Sequence, residues 1–305
     1  MEKVFVIVNP ASRNGHTGMI WQGIREALAG CFHEFKFVFT EKPFQATSIA
    51  RELLKDGFDL IIGVGGDGTL NEIANGFFGL NAEPINEDAA LGIVPSGTGS
   101  DFIRSLRLPR DFLKSIKRIK EAQASRIDIG QVTFPGKSNQ DSRFFINVAD
   151  FGLGAEVIKR MSKRGRSRNS FSYLASLLKT LKSYECPELH LKLDQGLEIK
   201  GRFLLGAAAN GRVFGGGMII APDALPDDGL FDLVLIREMP AWQVMVQAGK
   251  LYRGTLNRHH RVEVHRVSSF SVKSANPVST EFDGESGPDL PARFSIRPGA
   301  IKIRF

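Results

Sequence analysis

One stretch of the chain combines closely spaced glycines with an aspartate, between a predicted buried strand and a predicted helix: Gly63-Val64-Gly65-Gly66-Asp67-Gly68-Thr69-Leu70-Asn71-Glu72. Glycines let the backbone approach a phosphate group closely, and the start of a helix offers N–H groups to it. The carboxylate of Asp67 would repel a bare pyrophosphate, but it suits phosphates that carry Mg²⁺. Thr69 is placed to cap the helix or to contact a ligand oxygen. The stretch therefore predicts a site for a magnesium-bound nucleoside triphosphate.

Two other glycine motifs fit the chain less well. Three of these glycines match the G-x-G-x-x-G pattern of dinucleotide-binding folds, and Asp88 follows at a suitable distance. That pattern belongs after the first strand of such a fold, whereas this loop follows the third predicted strand. A Walker A loop is absent, since the Gly-Lys-Ser at Gly136–Ser138 has Gln131 where the first glycine is required.

Two further loops of small and polar residues follow predicted strands. Asn9–Gly15 follows the first strand. Pro95–Asp101 follows the fourth strand and is expected to open another helix. Each loop taken alone is also compatible with a tight turn. In a parallel sheet, however, all three loops emerge at the carboxyl edge, where ligands bind. Three such loops at one edge favour phosphate binding.

The elements that position these loops alternate along the first part of the chain. Predicted strands alternate with amphipathic helical stretches, which indicates right-handed βαβ units and a parallel sheet. We therefore predict an α/β nucleotide-binding domain over residues 1–125. The predicted strands are Val4–Val8, Glu34–Phe39, Leu60–Ile62 and Leu91–Val94, and the predicted helices are Met19–Leu28, Gln45–Lys55 and Thr69–Phe78.

Beyond residue 125 strands dominate, and several are joined by short turns of Gly, Pro or Asp. This texture predicts a second, β-rich and sandwich-like domain over residues 126–296. Two helical segments, Phe171–Tyr184 and Trp242–Leu251, interrupt it. The predicted strands are Ile127–Val132, Phe144–Val148, Leu189–Leu193, Ile199–Ala208, Leu230–Ile236, Val262–Val272 and Ala292–Ile296.

Composition limits the classes of protein that the chain can belong to. Of its 305 residues 42% are hydrophobic and 24% charged, ordinary globular values, and the net charge of +7 suggests an anionic partner. Two cysteines are too few for a disulfide framework, so a reducing, cytoplasmic compartment is expected. No apolar run approaches membrane-spanning length. The six histidines lack H-E-x-x-H spacing and no G-x-S-x-G elbow is present, which leaves metalloprotease and serine-hydrolase chemistry unsupported.

Gly65–Glu72 resembles the signature of the diacylglycerol kinase catalytic domain family, which includes sphingosine and ceramide kinases and soluble bacterial lipid kinases. Its first five residues alone are also similar to loops of NAD kinases and phosphofructokinases. In the loop Pro95–Asp101, Ser100 stands where the family usually has asparagine. The likeness extends along nearly the whole chain and includes Asn9-Pro10, Leu91–Pro95, Gly97-Thr98, Phe151–Gly154, Asn210-Gly211, Gly215–Gly217 and Asp283–Glu285.

The resemblance implies an NAD kinase/diacylglycerol kinase-like fold whose first domain is completed by a C-terminal strand over 297–305. It also implies ATP and Mg²⁺ as cofactors. Thr40 ends the second predicted strand, where a simple strand-end cap is the alternative, and Asp67 could instead cap a helix. The ATP-binding residues that the resemblance implies are Asn9, Thr40, Gly65, Gly66, Asp67, Gly68, Thr69, Leu70, Asn71 and Thr98.

The resemblance assigns two further roles to acidic residues. Asp67 would bind the nucleotide's Mg²⁺ or orient the acceptor hydroxyl, and Glu285 would be the general base. From the residues alone, Asp283–Glu285 is typical of a hairpin corner. A second Mg²⁺ site would use Asp228 with the carbonyls of Leu225 and Leu230, although the residues alone favour a solvated turn there.

The function implied is a lipid kinase that phosphorylates a lipid hydroxyl, most simply that of diacylglycerol. A kinase of a soluble substrate, such as NAD or a sugar phosphate, and a non-catalytic nucleotide- or lipid-binding protein are the alternatives. The expected partner is a lipid substrate at an anionic membrane surface, contacted peripherally; no nucleic acid is expected, and a homodimer stays open. Bases concentrate between Lys159 and Arg168, either as a membrane-docking surface or as a solvated basic face.

Overall fold

The computed structural model describes residues 2–79, 81–136, 142–163 and 170–305, with side chains left out for 162–163 and 170–175. The chain divides into two compact units. One unit comprises Met1–Ile129 with Gly299–Phe305, and the other comprises Gly130–Pro298. Among the described residues, no helix combines the length and the apolar character needed to cross a bilayer.

The first unit is built on a parallel sheet. Strands β1 (Val4–Val8), β2 (Lys36–Phe39), β3 (Leu60–Gly65) and β4 (Ala90–Pro95) lie in the order β2-β1-β3-β4. The end of the last strand, Lys302–Arg304, pairs in parallel with β4. The helices are α1 (His16–Cys31), α2 (Gln45–Lys55), α3 (Asp67–Gly76), α4 (Asp101–Ser105) and α5 (Phe112–Glu121).

Helices cover both faces of this sheet. Every residue of β3 and β4 is buried, as in strands that pack helices on both sides. One face packs alternate strand residues against Trp21 and Ile24 of α1 and Ile119 of α5. On the other face, Gly63 lies against Leu70 and Ile73 of α3. The predicted parallel α/β class is therefore confirmed, and α4 is the helix expected after Pro95–Asp101; α5 was not among the predicted elements.

The second unit is rich in antiparallel strands. The structure places β5 (Ser125–Thr133) and β17 (Ala292–Arg304) across the two units. The other strands are β6 (Arg143–Phe145), β7 (Val148–Gly152), β8 (Glu188–Leu193), β9 (Glu198–Ala209), β10 (Val213–Phe214), β11 (Met218–Ile219), β12 (Phe231–Arg237), β13 (Val262–Val267), β14 (Ser269–Ser274), β15 (Thr280–Phe282) and β16 (Glu285–Ser286). The helices are α6 (Leu153–Lys163), α7 (Ser170–Ser183), α8 (Ala241–Arg253) and a short 3₁₀ turn at Leu256–Arg258.

Strand β9 is long enough to serve two groups of strands. Its first residues pair with β8, which continues through β14 to β17, and its later residues pair with β7 and β12. Side chains from both groups share one core. In that core the Phe270 and Phe294 rings stack with centroids 4.7 Å apart, and Phe151 lies 5.8 Å from Phe294. The predicted β-rich, sandwich-like class is confirmed.

Two predicted strands are each interrupted by an aspartate from elsewhere in the chain. Val262–Val272 is two strands because Asp194 Oδ2 accepts hydrogen bonds from the backbone N–H groups of Ser268 and Ser269, at 2.7 and 3.0 Å. Phe144–Val148 breaks at 146–147 because the Asp283 carboxylate accepts backbone N–H groups there. Neither carboxylate is near its partner in sequence, so strand periodicity alone did not reveal these breaks.

Candidate active site

Three loops at the carboxyl edge of the parallel sheet are joined by side-chain hydrogen bonds. We call residues 9–15, 65–71 and 95–101 the glycine-loop cluster. Asn9 Nδ2 donates to Thr69 Oγ1 at 2.9 Å, which joins the first two loops. Ser12 Oγ donates to the carbonyl of Ser96 at 3.0 Å, which joins the first loop to the third. The structure thus brings together the loops that the sequence analysis grouped.

Close backbone approach explains the glycines of this cluster. A Cβ atom on Gly97 would lie 2.5 Å from Cα of Gly66, so two loop backbones touch where side chains are missing. A Cβ atom on Gly65 would lie 2.6 Å from Thr69 Oγ1. A larger residue in place of Gly97 would push two loops apart, and one in place of Gly65 would displace Thr69. The cluster is a surface of closely packed backbone, which suits a phosphate group.

The start of α3 is the part of the cluster that fits an anion best. Gly66 is the N-cap residue and no side chain caps the helix there. The first N–H groups of any α-helix lack helical acceptors, and the helix dipole adds partial positive charge. Gly68 and Thr69 lie within this first turn. These residues could therefore hold a phosphate through backbone N–H groups.

Asp67 faces the third loop of the cluster. Its Oδ2 accepts a hydrogen bond from the Asp101 N–H and its Oδ1 accepts one from the Phe102 N–H, both at 3.1 Å. Asp67 thus caps the neighbouring helix α4 rather than the helix it begins. Each carboxylate oxygen has a second lone pair, so the group can still bind a hard cation. The donor chemistry of this position fits Mg²⁺.

The other residues predicted to bind the nucleotide differ in burial and in their hydrogen bonds. The Thr40 N–H donates to the Val8 carbonyl at 2.8 Å, as the strand-end alternative requires, and the residue is half-buried. Leu70 is 1% exposed, so its side chain belongs to the core. Asn71 receives a hydrogen bond from Asn75 Nδ2 at its side-chain oxygen, at 3.1 Å. A role for these residues in binding ATP stays a prediction.

Arg110 contacts the glycine-loop cluster, although the sequence analysis did not select it. Its Nη2 donates to the Thr98 carbonyl at 3.3 Å and also to the Gly99 carbonyl. Burial and Arg104 lower the pKa of Arg110, whereas Asp101 and Asp67 raise it, so both carboxylates lie within electrostatic reach. In the sequence, the one signal for a role of Arg110 is its position shortly after the third loop.

Ser100 adopts a backbone conformation that explains the family's usual asparagine. Its φ is 52°, in the left-handed region, where it is the N-cap of α4. Asparagine is enriched in that region, whereas serine visits it less readily. The side chain of Ser100 is 3.5 Å from the Gly97 carbonyl. We infer that the family's asparagine favours the loop's conformation here.

In the second unit, Asp283–Glu285 forms the corner of a hairpin between β15 and β16. Asp283 and Gly284 have φ of 47° and 91°, the pattern of a two-residue hairpin turn, as the residues alone indicated. The Asp283 carboxylate accepts three backbone N–H groups, from Ile146 at 2.7 Å, Asn147 at 3.1 Å and Val148 at 3.0 Å. Glu285, half-buried, follows this fixed corner directly.

Asp228, predicted as a metal ligand, is already engaged. Its Oδ1 accepts the Leu230 N–H at 3.0 Å, and its Oδ2 forms an ion pair with Arg266. Burial raises the pKa of Asp232, Arg266 lowers it, and Asp228 and Asp223 raise it. The guanidinium of Arg266 lies against the carboxylates of both Asp228 and Asp232. Within the described ranges, no three His, Cys, Asp or Glu side chains are grouped to hold a metal ion. A cation on Asp228 and the carbonyls of Leu225 and Leu230 would have to compete with Arg266.

The basic run between Lys159 and Arg168 is described only at its start. Lys159 Nζ is 3.0 Å from Asp289 Oδ1, and Arg160 Nε is 2.8 Å from Glu156 Oε1, so both bases are paired with acids. The side chain of Lys163 and all of Arg164, Arg166 and Arg168 lie outside the described residues. Membrane docking by this run stays a prediction.

Comparison with known proteins gives matches over both parts of the chain. Residues 3–132 match the family model described as diacylglycerol kinase catalytic domain, and residues 147–305 match the YegS C-terminal NAD kinase beta sandwich-like domain. The chain is 32% identical over 256 residues to the diacylglycerol kinase of Staphylococcus saprophyticus subsp. saprophyticus, with 84% of this chain and 79% of the relative covered. It is 29% identical over 290 residues to that of Staphylococcus epidermidis, with 95% and 87% covered.

Solved structures extend the similarity to the fold. A crystal structure of a diacylglycerol kinase from Bacillus anthracis str. Sterne gives a TM-score of 0.74 at 21% identity, covering 100% of this chain and 97% of the other. Yeast NADH kinase complexed with NADH gives a TM-score of 0.52 at 11% identity, covering 99% and 82%. At such identities the likeness concerns the fold alone.

Proposed function

The chain belongs to the diacylglycerol kinase catalytic domain family and is a lipid kinase, and from this premise we propose that it phosphorylates the free hydroxyl of diacylglycerol with ATP. The product would be phosphatidic acid. The observation that carries the proposal is the glycine-flanked start of α3, which no side chain caps and which holds Asp67 in its first turn. Relatives named diacylglycerol kinase support the choice of acceptor.

We assign nucleotide binding to residues 1–125 with the strand 297–305. There Asn9, the run Gly65 to Asn71, Thr98 and, at the end of the second strand, Thr40 would contact ATP. When bound, Mg²⁺ would neutralise charge on the phosphates. The backbone N–H groups at the start of α3 would orient the phosphates, and Asp67 would hold the cation while it caps α4.

We assign the lipid acceptor to residues 126–296. Glu285 would accept the proton of the lipid hydroxyl as the oxygen attacks the γ-phosphorus, and the bond to the bridging oxygen breaks to release ADP. The fixed Asp283 corner would orient Glu285 for this step. Asp228, with the carbonyls of Leu225 and Leu230, would hold a second, structural Mg²⁺. A cytoplasmic location with peripheral membrane contact follows from the choice of substrate.

One experiment tests the proposal against its alternatives. ATP labelled in the γ-phosphate is incubated with the protein and diacylglycerol in detergent micelles, with NAD, or with a panel of sugar phosphates. Label in phosphatidic acid supports the proposal. Label only in a soluble acceptor identifies a kinase of the NAD type, and no transfer with measurable ATP binding identifies a binding protein. A panel of ceramide, sphingosine and monoacylglycerol then ranks the lipid acceptors.

A further inference from the structure

Helix α8 turns an apolar face to solvent. Over Ala241–Arg253 the helix has no fully buried residue, and its partly buried hydrophobic residues Val244 and Leu251 pack against the core beneath it. The face opposite that core carries large apolar side chains at helical spacing, which we call the α8 face: Trp242 (64% exposed), Met245 (58%), Val246 (67%) and Tyr252 (56%). Contiguous exposed apolar surface of this kind marks an interaction site, unlike single scattered residues.

Basic groups stand at the C-terminal end of this face. Arg253 lies within the same arc of the helix, Lys250 borders it, and Arg258 follows in the next turn of chain. In the part of the chain that the structure describes, none of these three side chains forms an ion pair or a hydrogen bond. Burial lowers the pKa of His259 nearby, and the charges of His260, Lys250 and Arg261 lower it further.

A cavity lined by arginines lies at the N-terminal end of the helix. It has a volume of about 510 Å³ and is lined by Arg202, Arg237, Glu238, Met239, Pro240 and Arg261. Arg202 pairs with Glu238 at 3.1 Å, and Arg237 pairs with Glu263. Arg261 Nη1 donates to the Glu238 carbonyl, and its buried Nε has no hydrogen-bond partner. The arginines outnumber the acids here, so both ends of the α8 face are cationic.

We propose that the α8 face docks the kinase on an anionic membrane surface, with Trp242, Met245 and Val246 inserted among the lipid headgroups and the flanking bases next to lipid phosphates. Interfacial helices combine an apolar stripe with Lys and Arg in this way, and Trp and Tyr favour the membrane–water boundary. The proposal rests on the proposed function, because a diacylglycerol substrate resides in such a membrane.

The charge pattern argues against a second copy of the chain as the occupant. A two-fold interface places the same surface on both partners. If two α8 faces packed antiparallel, the arginine cavity of each copy would meet the Lys250 and Arg253 end of the other. Like charges would then oppose each other at both ends, whereas lipid phosphates would neutralise them.

Vesicle co-sedimentation of the full chain tests the proposal. Vesicles of phosphatidylcholine are compared with vesicles that also contain phosphatidylglycerol. We expect binding to the anionic vesicles, weakened at high salt. Trp242→Ala combined with Val246→Glu should reduce the partition coefficient at least about tenfold. Arg253→Gln and Arg258→Gln should each reduce it about fivefold. Leu113→Glu and Lys114→Gln, exposed on α5, are the matched controls and should bind normally.

The possible outcomes separate this proposal from the proposed function. The docking role is overturned if the wild type binds vesicles equally well with and without anionic lipid. It is also overturned if all the α8 variants bind vesicles as strongly as the wild type. A wild-type dimer that Val246→Glu converts to a monomer, with vesicle binding unchanged, shows that a second copy covers the face. With a short-chain, water-soluble diacylglycerol the α8 variants should keep wild-type turnover. If neither the wild type nor any variant phosphorylates diacylglycerol, the proposed function is wrong. The co-sedimentation result still decides whether the α8 face docks on membranes.

Discussion

Asp150 and Glu281 lie directly opposite each other on the neighbouring antiparallel strands β7 and β15. Both are buried, with 2% and 5% of their surface exposed. Burial raises the pKa of Asp150 to about 6, and a hydrogen bond from Glu281 works in the opposite direction. Burial, and then the charge of Asp150, raise the pKa of Glu281. Two carboxyl groups so placed keep their protons to a higher pH than exposed carboxyl groups do.

This pair predicts a pH dependence of stability. A carboxyl whose folded-state pKa is raised binds more protons in the folded state, so its contribution is complete below the unfolded value of about 4 and is lost as the pH rises through the folded value. The double variant Asp150→Asn/Glu281→Gln has no carboxyl group at either position, so it cannot lose stability in this way as the pH rises. As the pH rises from about 4 to about 7, the unfolding free energy of the variant should increase relative to that of the wild type by on the order of 3 kcal/mol.

Urea denaturation at successive pH values measures this difference. Glu188→Gln, which alters an exposed carboxyl of β8, is the matched control and should run parallel to the wild type. A difference between variant and wild type that stays constant across the pH range would show that the two carboxyls do not retain their proton.

Glu285→Gln should lower kcat at least tenfold, since a positioned general base contributes about 10² to 10⁴ in rate. The amide keeps the size of the side chain but cannot take the hydroxyl proton. KM for ATP and the melting temperature should stay near their wild-type values, because the corner is held by Asp283. Ser286→Ala, one residue along and exposed, is the control for local disturbance. Near-wild-type turnover of Glu285→Gln would remove Glu285 from the reaction.

Asp67→Asn should lower kcat at least tenfold and raise the Mg²⁺ concentration needed for half-maximal rate. Asparagine retains one acceptor oxygen, so one of the two backbone bonds to α4 is lost together with the negative charge. The lost cap should cost about 1 kcal/mol of unfolding free energy. Asp59→Asn is the control, because Asp59 Oδ2 also accepts a backbone N–H, from Lys3 at 2.7 Å. If both variants lose stability and neither loses activity, Asp67 is structural only.

Arg110→Gln should raise KM for ATP about tenfold with a smaller change in kcat, since a hydrogen bond from a charged donor is worth about 1.5–3 kcal/mol. Arg110 donates hydrogen bonds to the carbonyl groups of Thr98 and Gly99. In a planar trans peptide the N–H group points away from the carbonyl of the same unit, so these bonds also fix the direction of the N–H groups that follow. Steady-state kinetics at varied ATP measures the effect. Arg118→Gln, an exposed arginine of α5, should leave KM unchanged. An unchanged KM in Arg110→Gln would show that the third loop keeps its shape without this residue.

Elements with strong hydrophobic patterns could be predicted from the sequence. Val4–Val8 has the predicted bounds because it is a continuous apolar run, buried except at Phe5. Gln45–Lys55 has them because its buried positions repeat at helical spacing. The three loops could be grouped for a similar reason, since parallel strands carry their carboxyl ends to one edge. Helix α4 was expected after Pro95–Asp101 without an end point. It spans only Asp101–Ser105 and depends on a cap from Asp67, which lies far away in sequence.

The contacts of individual polar side chains could not be predicted in this way. Asp67 was weighed as a helix cap, and it does cap a helix, but the pattern did not indicate that this helix is α4. Glu72 of the signature accepts the Ala46 N–H at 3.1 Å and so caps α2. Such contacts join segments that are distant in sequence, and hydrophobic periodicity carries no information about them. For the same reason Arg110 and the pair of Asp150 and Glu281 emerged only from the three-dimensional arrangement.

Arg266 predicts how the Asp228 position responds to Mg²⁺. The guanidinium already neutralises Asp228, and its Nε is 3.6 Å from Asp232 Oδ1, so a cation must displace it before binding. We expect Mg²⁺ to raise the melting temperature of the wild type modestly and EDTA to reverse this gain. Arg266→Gln should enlarge the gain, since the competing charge is gone, and Asp228→Ala should abolish it in either background. Thermal denaturation with Mg²⁺ or EDTA, in the absence of nucleotide, measures all four proteins. If Arg266→Gln responds no more strongly than the wild type, the ion pair is the resident partner of Asp228 and no cation binds there.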